Sequence, residues 1–191
     1  MENNNATQQY SDIIKSVVDR IAKSIISANI NFDEKVMGDF VRILRSTKRV
    51  YIVGIGKSGL VGKIFGMSLV SLGYEVYIVG ETLMPAPKDS DVIIAVSGTG
   101  ETDYPIKMAQ IGKKVGAKVI TITSSPNSTL SKLSDLVIFV PGRSEKDGTT
   151  AYEITAEGTH GTLKGMFFEM SAMALLNAVA AGIAMQQKQE Q

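Results

Sequence analysis

The chain has 191 residues, of which 44% are hydrophobic, and its 20 basic and 19 acidic residues leave a formal net charge of +1. This length suits one domain with a sizeable core, and the balanced charge argues against a nucleic-acid partner, which usually requires a basic face. The lack of cysteine excludes disulfides, thiol catalysis and cysteine-ligated metals. Since there is also a single histidine, we expect no metal site.

The N-terminal region predicts two helices ahead of the first strand. Residues 1–9 are rich in Asn and Gln, do not form a signal peptide and are predicted to be a disordered tail. From Ser11 to Ala28, pairs of apolar residues recur every four positions and predict a helix with a wide apolar stripe. A second helix is predicted from Asp33 to Leu44, where Asn31 and Glu34 form a capping-box pattern. Because the apolar stripe is wider than one contact face needs, we expect these two leading helices to pack against a partner subunit.

The body of the sequence alternates between strands and helices. Helical patterns at Ser58–Leu72 and Thr102–Val115 are each followed by a glycine, which is typical of a helix end. Short segments that are rich in β-branched residues and apolar on both faces predict buried strands: Val50–Val53, Val76–Val79, Val92–Val96, Lys118–Thr123 and Leu136–Val140. This alternation predicts an α/β fold with a doubly wound, five-stranded parallel sheet and helices on both faces.

The C-terminal region predicts a long loop and a last helix. The polar, glycine-bearing segment Gly142–Gly161 is too long for a simple turn and indicates a lid or an ordered functional loop. The apolar stretch Leu163–Met185 contains a carboxylate and an amide, so it favours a buried helix over a membrane span. Residues 187–191 are predicted to fray. We therefore expect a single domain over 10–186, with no membrane association, in the cytoplasm.

Glycines, hydroxyls and a lysine follow three of the predicted strands. In an open α/β sheet, ligands bind beyond the carboxyl ends of the strands. Glycine lets backbone amides approach an anion, hydroxyls donate hydrogen bonds, and the next helix adds its positive N-terminal dipole. These loops predict a phosphate cradle, above all at 97–102, where three hydroxyls exceed the needs of a turn. The candidate binding residues are Gly56, Lys57, Ser58, Ser97, Gly98, Thr99, Gly100, Glu101, Thr102 and Ser124.

The first loop also permits two nucleotide hypotheses. The glycine spacing of Gly54–Gly59 matches the dinucleotide fingerprint, and Glu81 follows the second strand where a ribose-binding acid would lie. Lys57 in this loop suits a phosphate monoester better than a pyrophosphate, so a nicotinamide-linked reductase is the weaker alternative. The P-loop spacing fails, because Tyr51 occupies the position where that motif needs a glycine.

Together these motifs resemble the sugar isomerase (SIS) domain over about residues 40–185. The residues that carry the resemblance are a strand followed by Gly-x-Gly-x-Ser, a strand followed by Ser-Gly-Thr-Gly-Glu-Thr, and a third, hydroxyl-rich strand end. Within that superfamily, the short chain, the two leading helices and the segment Gly165–Met170 resemble the 6-phospho-3-hexuloisomerases. The resemblance implies a flavodoxin-like fold, a sugar-phosphate substrate, no cofactor, and a homotetramer with active sites near the subunit interfaces.

The resemblance also implies a reaction, the interconversion of D-arabino-hex-3-ulose 6-phosphate and fructose 6-phosphate through a cis-enediol. Moving a keto group between C3 and C2 requires a base beside the carbonyl and an acid that returns the proton. Glu169 occupies the family's glutamate position and is the candidate base. Two preceding phenylalanines are expected to desolvate its carboxyl partly, which would raise its pKa. Glu101, Glu153 and Glu157 are alternative bases.

The remaining roles also follow from the resemblance. Ser97, Thr99 and Thr102 are expected to hold the phosphate, and Ser58 to meet the sugar or the phosphate. His160 is the candidate for ring opening or proton shuttling. Lys57 would neutralise the enediolate or pair with the phosphate.

Two further functions stay open at the level of sequence. One is another SIS-type phosphosugar isomerase, such as a phosphoheptose or arabinose 5-phosphate isomerase. The other is a sugar-phosphate-sensing module without catalysis. Proton exchange between fructose 6-phosphate and deuterated water would separate an enzyme from a sensor.

Overall fold

The computed structural model describes the backbone of residues 2–30, 33–142 and 160–189. Most of the predicted functional loop, with Glu153 and Glu157, lies outside these ranges. The helices and strands of the described residues are α1 (Glu2–Ile30), α2 (Glu34–Arg45), β1 (Arg49–Gly54), α3 (Gly56–Ser71), β2 (Glu75–Ile78), β3 (Val92–Val96), α4 (Asp103–Val115), β4 (Lys118–Thr123), α5 (Thr129–Leu133), β5 (Leu136–Phe139) and α6 (His160–Gln189).

Among the described residues, five strands form one sheet in the order β2-β1-β3-β4-β5, and every neighbouring pair is parallel. The predicted doubly wound parallel sheet is therefore confirmed, with the strand order of flavodoxin-like folds. All five residues of the central strand β3 are buried, because helices cover both of its faces. This explains why the strands are continuous apolar runs and do not alternate.

Alternate residues of the strands pack into two cores. On one face, Ile52 and Ile94 lie in a cluster with Phe40 of α2, Phe65 of α3 and Phe168 of α6. On the other face, another cluster holds residues of the same strands, two residues of α4 and one of α5: Tyr51, Val53, Ile93, Met108, Ala109 and Leu130. Because helices cover both faces of the sheet, polar functional groups can gather only at the ends of the strands.

The helix ends follow the local sequence, with one correction. The N-cap of α2 is Asp33, whose carboxylate accepts from the Val36 amide at 3.0 Å. The predicted capping box of Asn31 and Glu34 was wrong, because Asp33 is the N-cap residue of α2; Asn31 itself lies outside the described residues. Further along the chain, Gly116 ends α4 with a φ of 84°, as its position after Val115 predicted.

The two leading helices differ in what they bury. α2 buries Met37, Phe40 and Leu44 in the core of its own chain. That the two leading helices pack against a partner subunit stays a prediction. α1 packs along α6 and extends from Glu2 to Ile30. Residues 2–9 thus continue the helix where the sequence predicted a disordered tail.

α6 is the stretch of the described residues that is long and apolar enough, over Met166–Gln189, to span a membrane by length and composition. Its apolar residues instead lie in the core: Phe168, Ala172, Leu176, Val179, Ala180 and Ile183. α6 is therefore a buried core helix, as the sequence predicted. It runs to Gln189, past the point where fraying was expected.

The short helix α5 was missed by the sequence analysis. Its N-cap is Ser128, whose hydroxyl oxygen accepts from the Ser131 amide at 3.3 Å. A hydroxyl-rich segment of this kind is equally typical of a loop. In the structure Leu130 is fully buried, and its burial stabilises the helical conformation of this segment.

Ionic contacts close the amino edge of the sheet, where β1, β3 and β4 begin. Asp91 is 2% exposed and accepts two hydrogen bonds from the guanidinium of Arg49, from Nε at 2.9 Å and from Nη2 at 2.5 Å. Asp91 also accepts from the Lys88 amide at 2.6 Å. One strand further along, Asp135 accepts from the Val119 amide and from Lys113 Nζ, both at 2.9 Å.

Candidate active site

Two loops meet at the opposite, carboxyl edge of the sheet. The register pairs Gly54, the last residue of β1, with Val96, the last residue of β3. The loop after β1 leads directly into α3, and Ser97 begins the loop that leads into α4. Because β1 and β3 are neighbours and end at the same level, the predicted phosphate loop 97–102 lies beside the first turn of α3.

The glycines of the first loop allow α3 to begin unusually close to β1. A Cβ at Gly54 would lie 2.9 Å from the Gly59 amide nitrogen, and a Cβ at Gly59 would lie 2.7 Å from the Gly54 carbonyl oxygen. Gly56, the first residue of α3, has a φ of 57° that disfavours other residues. The fingerprint-like spacing is thus accounted for by a tight turn between a strand and a helix.

The loop 97–102 is held in shape by its own hydroxyls. The Ser97 hydroxyl accepts from the Gly100 amide at 3.1 Å and lies 3.2 Å from the Thr102 hydroxyl. The Thr99 hydroxyl accepts from the Glu101 amide at 3.3 Å. Ser97 and Thr102, five residues apart in sequence, are therefore brought together, while Thr99 stabilises the turn between them.

The same loop is fastened to β4 and to α5. The Gly98 carbonyl accepts from the Ser124 amide at 3.1 Å and from the Thr123 hydroxyl at 3.2 Å. Gly100 has a φ of 67°, and a Cβ there would collide with the Ser128 side chain. The end of β4 and the start of α5 thus support the phosphate loop through the Thr123 hydroxyl, the Ser124 amide and the Ser128 side chain. Sequence analysis missed Ser128, since its role depends on the unpredicted helix α5.

The helix N-termini at this edge fall into two kinds. Asp33 caps α2 and Ser128 caps α5 with side-chain hydrogen bonds. In the described residues, neither Ile55 before α3 nor Thr102 before α4 makes such a bond. The first-turn amides of these two helices lie beside the loops that were predicted to bind phosphate, and anions bind well to such amides.

Glu169 reaches this edge from α6. Its side chain is 5% exposed, and its Oε1 accepts from the Ser58 hydroxyl at 3.2 Å. Ser58, in the first turn of α3, is itself buried. A buried carboxylate is costly unless hydrogen bonds or charges stabilise it. The two residues were singled out separately in the sequence, and the structure joins them.

The two phenylalanines before Glu169 are not equivalent. Phe168 is fully buried in the core, whereas the ring of Phe167 faces α1, with the guanidinium carbon of Arg20 5.2 Å from its centroid. The carboxyl of Glu169 is removed from water, as expected. It projects from a third side of α6 and meets α3, because consecutive helical residues differ in direction by about 100°.

The other candidate residues of the sequence are placed as follows. Glu101 is exposed, and its Oε1 accepts from the Thr129 amide at 2.8 Å, at the start of α5. Lys57 is exposed in the first turn of α3. The backbone of His160 begins α6, and its side chain lies outside what the structure describes. Glu81, the candidate ribose-binding acid, forms an exposed ion pair with Lys63 at 3.2 Å.

A model of the SIS domain matches residues 43–162 of the chain. An uncharacterized protein of Aeropyrum pernix is 38% identical over 164 residues, which cover 83% of this chain and 76% of that protein. A protein of Methylomonas aminofaciens named 3-hexulose-6-phosphate isomerase is 32% identical over 165 residues, which cover 86% of this chain and 84% of that protein.

A solved structure from Methanococcus jannaschii superposes with a TM-score of 0.73 at 25% identity and covers 90% of each chain. Its description infers for that protein a molecular function of 3-hexulose-6-phosphate isomerase. Its resemblance extends over most of the chain, including the part beyond residue 162 where the family match ends.

Proposed function

The chain belongs to the SIS domain family and is a phosphosugar isomerase, and we propose that it interconverts D-arabino-hex-3-ulose 6-phosphate and fructose 6-phosphate. The relatives named as isomerases support the general reaction. The specific substrate is our proposal, supported by the names of the relatives with 29–35% identity. No step of this proposal needs a cofactor.

The observation that carries the proposal is the buried hydrogen bond between Ser58 and Glu169. It joins a carboxylate on α6 to the helix whose N-terminus adjoins the 97–102 loop. A sugar phosphate whose phosphate lies on that loop would therefore present its carbon chain toward Glu169. The separation of the phosphate-binding residues from the carboxylate suits a reaction at C2 and C3, several bonds from a phosphate on C6.

The proposed reaction requires a single base near C2 and C3. The Glu169 carboxylate would remove the proton from C2 of the 3-ketose, and the electron pair would form the C2–C3 double bond of a cis-enediolate. Transfer of the O2 proton to O3 and return of the proton from Glu169 to C3 then give the 2-ketose. One group can perform both transfers because C2 and C3 are adjacent and their protons leave and arrive on one face of the enediol.

The phosphate would lie on the loop 97–102. Ser97 and Thr102 hydroxyls, 3.2 Å apart, can both turn toward an anion, and the first-turn amides of α4 add donors and a positive dipole. Lys57, exposed beside this loop, would supply the positive charge. We assign His160 to ring opening of fructose 6-phosphate, as the resemblance implies.

We further propose a cytoplasmic homo-oligomer, with a tetramer as the expected state. Large apolar side chains are exposed on the outer sides of α1 and α3, beyond the scatter normal for a monomer surface: Tyr10, Ile13, Ile14, Val18 and Ile26 on α1, and Leu60, Ile64, Met67 and Val70 on α3. Because α3 also carries Ser58, an interface on α3 would lie close to the active site.

The proposed function is tested by a coupled assay in which hexulose phosphate is supplied and fructose 6-phosphate is measured. We expect rapid formation of fructose 6-phosphate, and deuterium from the solvent at C3 of the product. Arabinose 5-phosphate and sedoheptulose 7-phosphate serve as matched substrates. If one of these is converted and hexulose phosphate is not, the substrate is wrong; if none exchanges a proton, the chain is a binding module.

A further inference from the structure

The contact between α1 and the start of α6 has no part in the mechanism above, yet it lies next to the proposed base. The Ser24 hydroxyl lies 2.9 Å from the Ser171 hydroxyl and donates to the Phe167 carbonyl at 3.5 Å. Arg20, one turn earlier on α1, covers the Phe167 ring. The two contacted residues lie two positions before and two after Glu169.

The geometry of a helix sets what this contact can do. Residues 167 and 171 share one face of α6, since they are one turn apart, and Glu169 lies about 200° around the axis from Phe167. α1 therefore holds the back of the turn whose front presents Glu169 to Ser58. A rotation or a slide of this turn would change the Glu169–Ser58 distance of 3.2 Å.

A second support holds the same turn from another side. Gly142 has a φ of 133°, and a Cβ there would collide with the backbone nitrogen of Phe168. The Phe168 side chain is fully buried in the core. The turn is thus held by backbone packing and by the core, while α1 supplies the polar contacts: Ser171, 1% exposed, has its hydroxyl directed to Ser24.

From these contacts we propose that Ser24 is a positioning residue, which through Ser171 and Phe167 fixes the orientation of Glu169. This inference rests on the proposed function insofar as Glu169 is the base. It goes beyond the SIS domain match, because Ser24, Phe167, Glu169 and Ser171 all lie outside residues 43–162. Displacing a reacting group by about 1 Å can cost about 100-fold in rate, so a partial displacement is measurable.

The test compares Ser24→Val with Ser24→Thr. Thr and Val have the same shape and a similar helix propensity, so the pair differs in the hydroxyl alone. We expect kcat of Ser24→Val to fall about tenfold below that of Ser24→Thr, with KM for the sugar phosphate changed less than twofold. Ser24→Thr should retain nearly the wild-type kcat. Ser16→Val and Ser16→Thr, at an exposed serine of the same helix, are the matched controls and should not differ.

A second measurement does not depend on any reaction. Hydrogen exchange of the amides of 167–171 should become at least tenfold faster in Ser24→Val than in Ser24→Thr, with the amides of β3 and β4 unchanged. Equal kcat and equal exchange in the two variants, or a rise in KM in place of a fall in kcat, would overturn the inference. A wild-type protein that converts no phosphosugar would instead refute the proposed function, and the exchange data would still decide whether Ser24 holds this turn.

Discussion

The two edges of the sheet use polar residues in opposite ways. At the amino edge, charges are paired with opposite charges: Arg49 with the buried Asp91, and Lys113 with Asp135. At the carboxyl edge, the polar groups are hydroxyls, glycine amides and helix N-termini, and the buried carboxylate of Glu169 accepts from a neutral hydroxyl. The charged groups of the amino edge are therefore occupied by one another, whereas the carboxyl edge carries hydrogen-bond donors that can bind an anion.

The ionisation of the two edges follows from this difference. Burial acts to raise the pKa of Asp91, but the hydrogen bonds from Arg49 and from the Lys88 amide outweigh burial and hold that pKa below its ordinary value. For Asp135, burial is likewise outweighed, by the Val119 amide and Lys113, so its pKa is also lowered. Both carboxylates are thus engaged in contacts that stabilise the fold, and their lowered pKa values make them weaker bases.

The largest expected effect belongs to Glu169→Gln. This change keeps the size of the side chain and an oxygen that accepts from Ser58, but it removes the basic carboxylate. A general base contributes about a hundred- to ten-thousand-fold in rate, so kcat should fall at least about 100-fold. Binding of fructose 6-phosphate, measured by calorimetry, should change little, since the phosphate loop follows β3 whereas Glu169 is on α6.

Glu101→Gln is the matched control, because Glu101 lies in the phosphate loop but is bound to the start of α5. Its kcat should stay within about threefold of wild type. If Glu101→Gln loses the activity and Glu169→Gln keeps it, the base has been assigned to the wrong carboxylate.

At the amino edge, Asp91→Asn should reduce stability and not activity. Removing one partner of a buried ion pair costs about 3–5 kcal/mol; because Arg49 is 20% exposed, we expect about 3 kcal/mol in urea unfolding. The rate constant per folded molecule should match the wild type. Asp39→Asn, which breaks an exposed pair with Lys35 and Arg42, should have a much smaller effect.

The same variant has a defined pH dependence. Since the pKa of Asp91 is lower in the folded chain, its contribution is present above the unfolded pKa of about 3.9 and is lost as the pH falls through the folded value. Wild-type and Asp91→Asn stabilities should therefore converge below about pH 4. A constant difference down to pH 2 would show that the charge of Asp91 is not what stabilises this edge.

The smallest effect in this series is expected for the pair Ser97→Ala and Thr102→Ala. Hydrogen bonds to a charged group are worth about 1.5–3 kcal/mol, so the double variant should bind sugar phosphate at least about tenfold more weakly. Stability should fall by about 1 kcal/mol, because the Ser97 hydroxyl also accepts from the Gly100 amide. Ser71→Ala, at an exposed hydroxyl of α3, is the control. An unchanged KM in the double variant would mean that the phosphate binds elsewhere.

Much of the fold could be predicted from local patterns. The strands were found because burial on two sides leaves short β-branched runs, and the ends of α3 and α4 because glycine follows them. α5 could not be predicted, since one buried residue, Leu130, distinguishes this helix from a serine-rich loop. The boundary of α1 was missed for a related reason: residues 2–9 lack an apolar pattern and simply continue a helix that begins to pack further on.

The candidate site could be predicted in its residues and less well in its contacts. The loop 97–102 was identified from its hydroxyls. Which hydroxyls lie together (Ser97 and Thr102) and which one stabilises the turn (Thr99) depends on the path of the loop, which the sequence does not reveal. The Ser58–Glu169 hydrogen bond joins residues 111 positions apart, which no local pattern reveals. The role of Ser24 could not be predicted from the sequence, because serine is common on amphipathic helices and its contact with Ser171 appears only in the structure.

The contact between α1 and α6 has a consequence for the order of events during synthesis. Ser24 and Ser171 are separated by 147 residues. At a translation rate of about 5–20 residues per second, roughly 7–30 s pass between the synthesis of one partner and that of the other. During that interval α1 has no α6 to cover its apolar side, while β1 to β4 can already pair. The proposed base and the helix that holds it in place thus come together last, so a newly made chain acquires its sheet well before it acquires its activity.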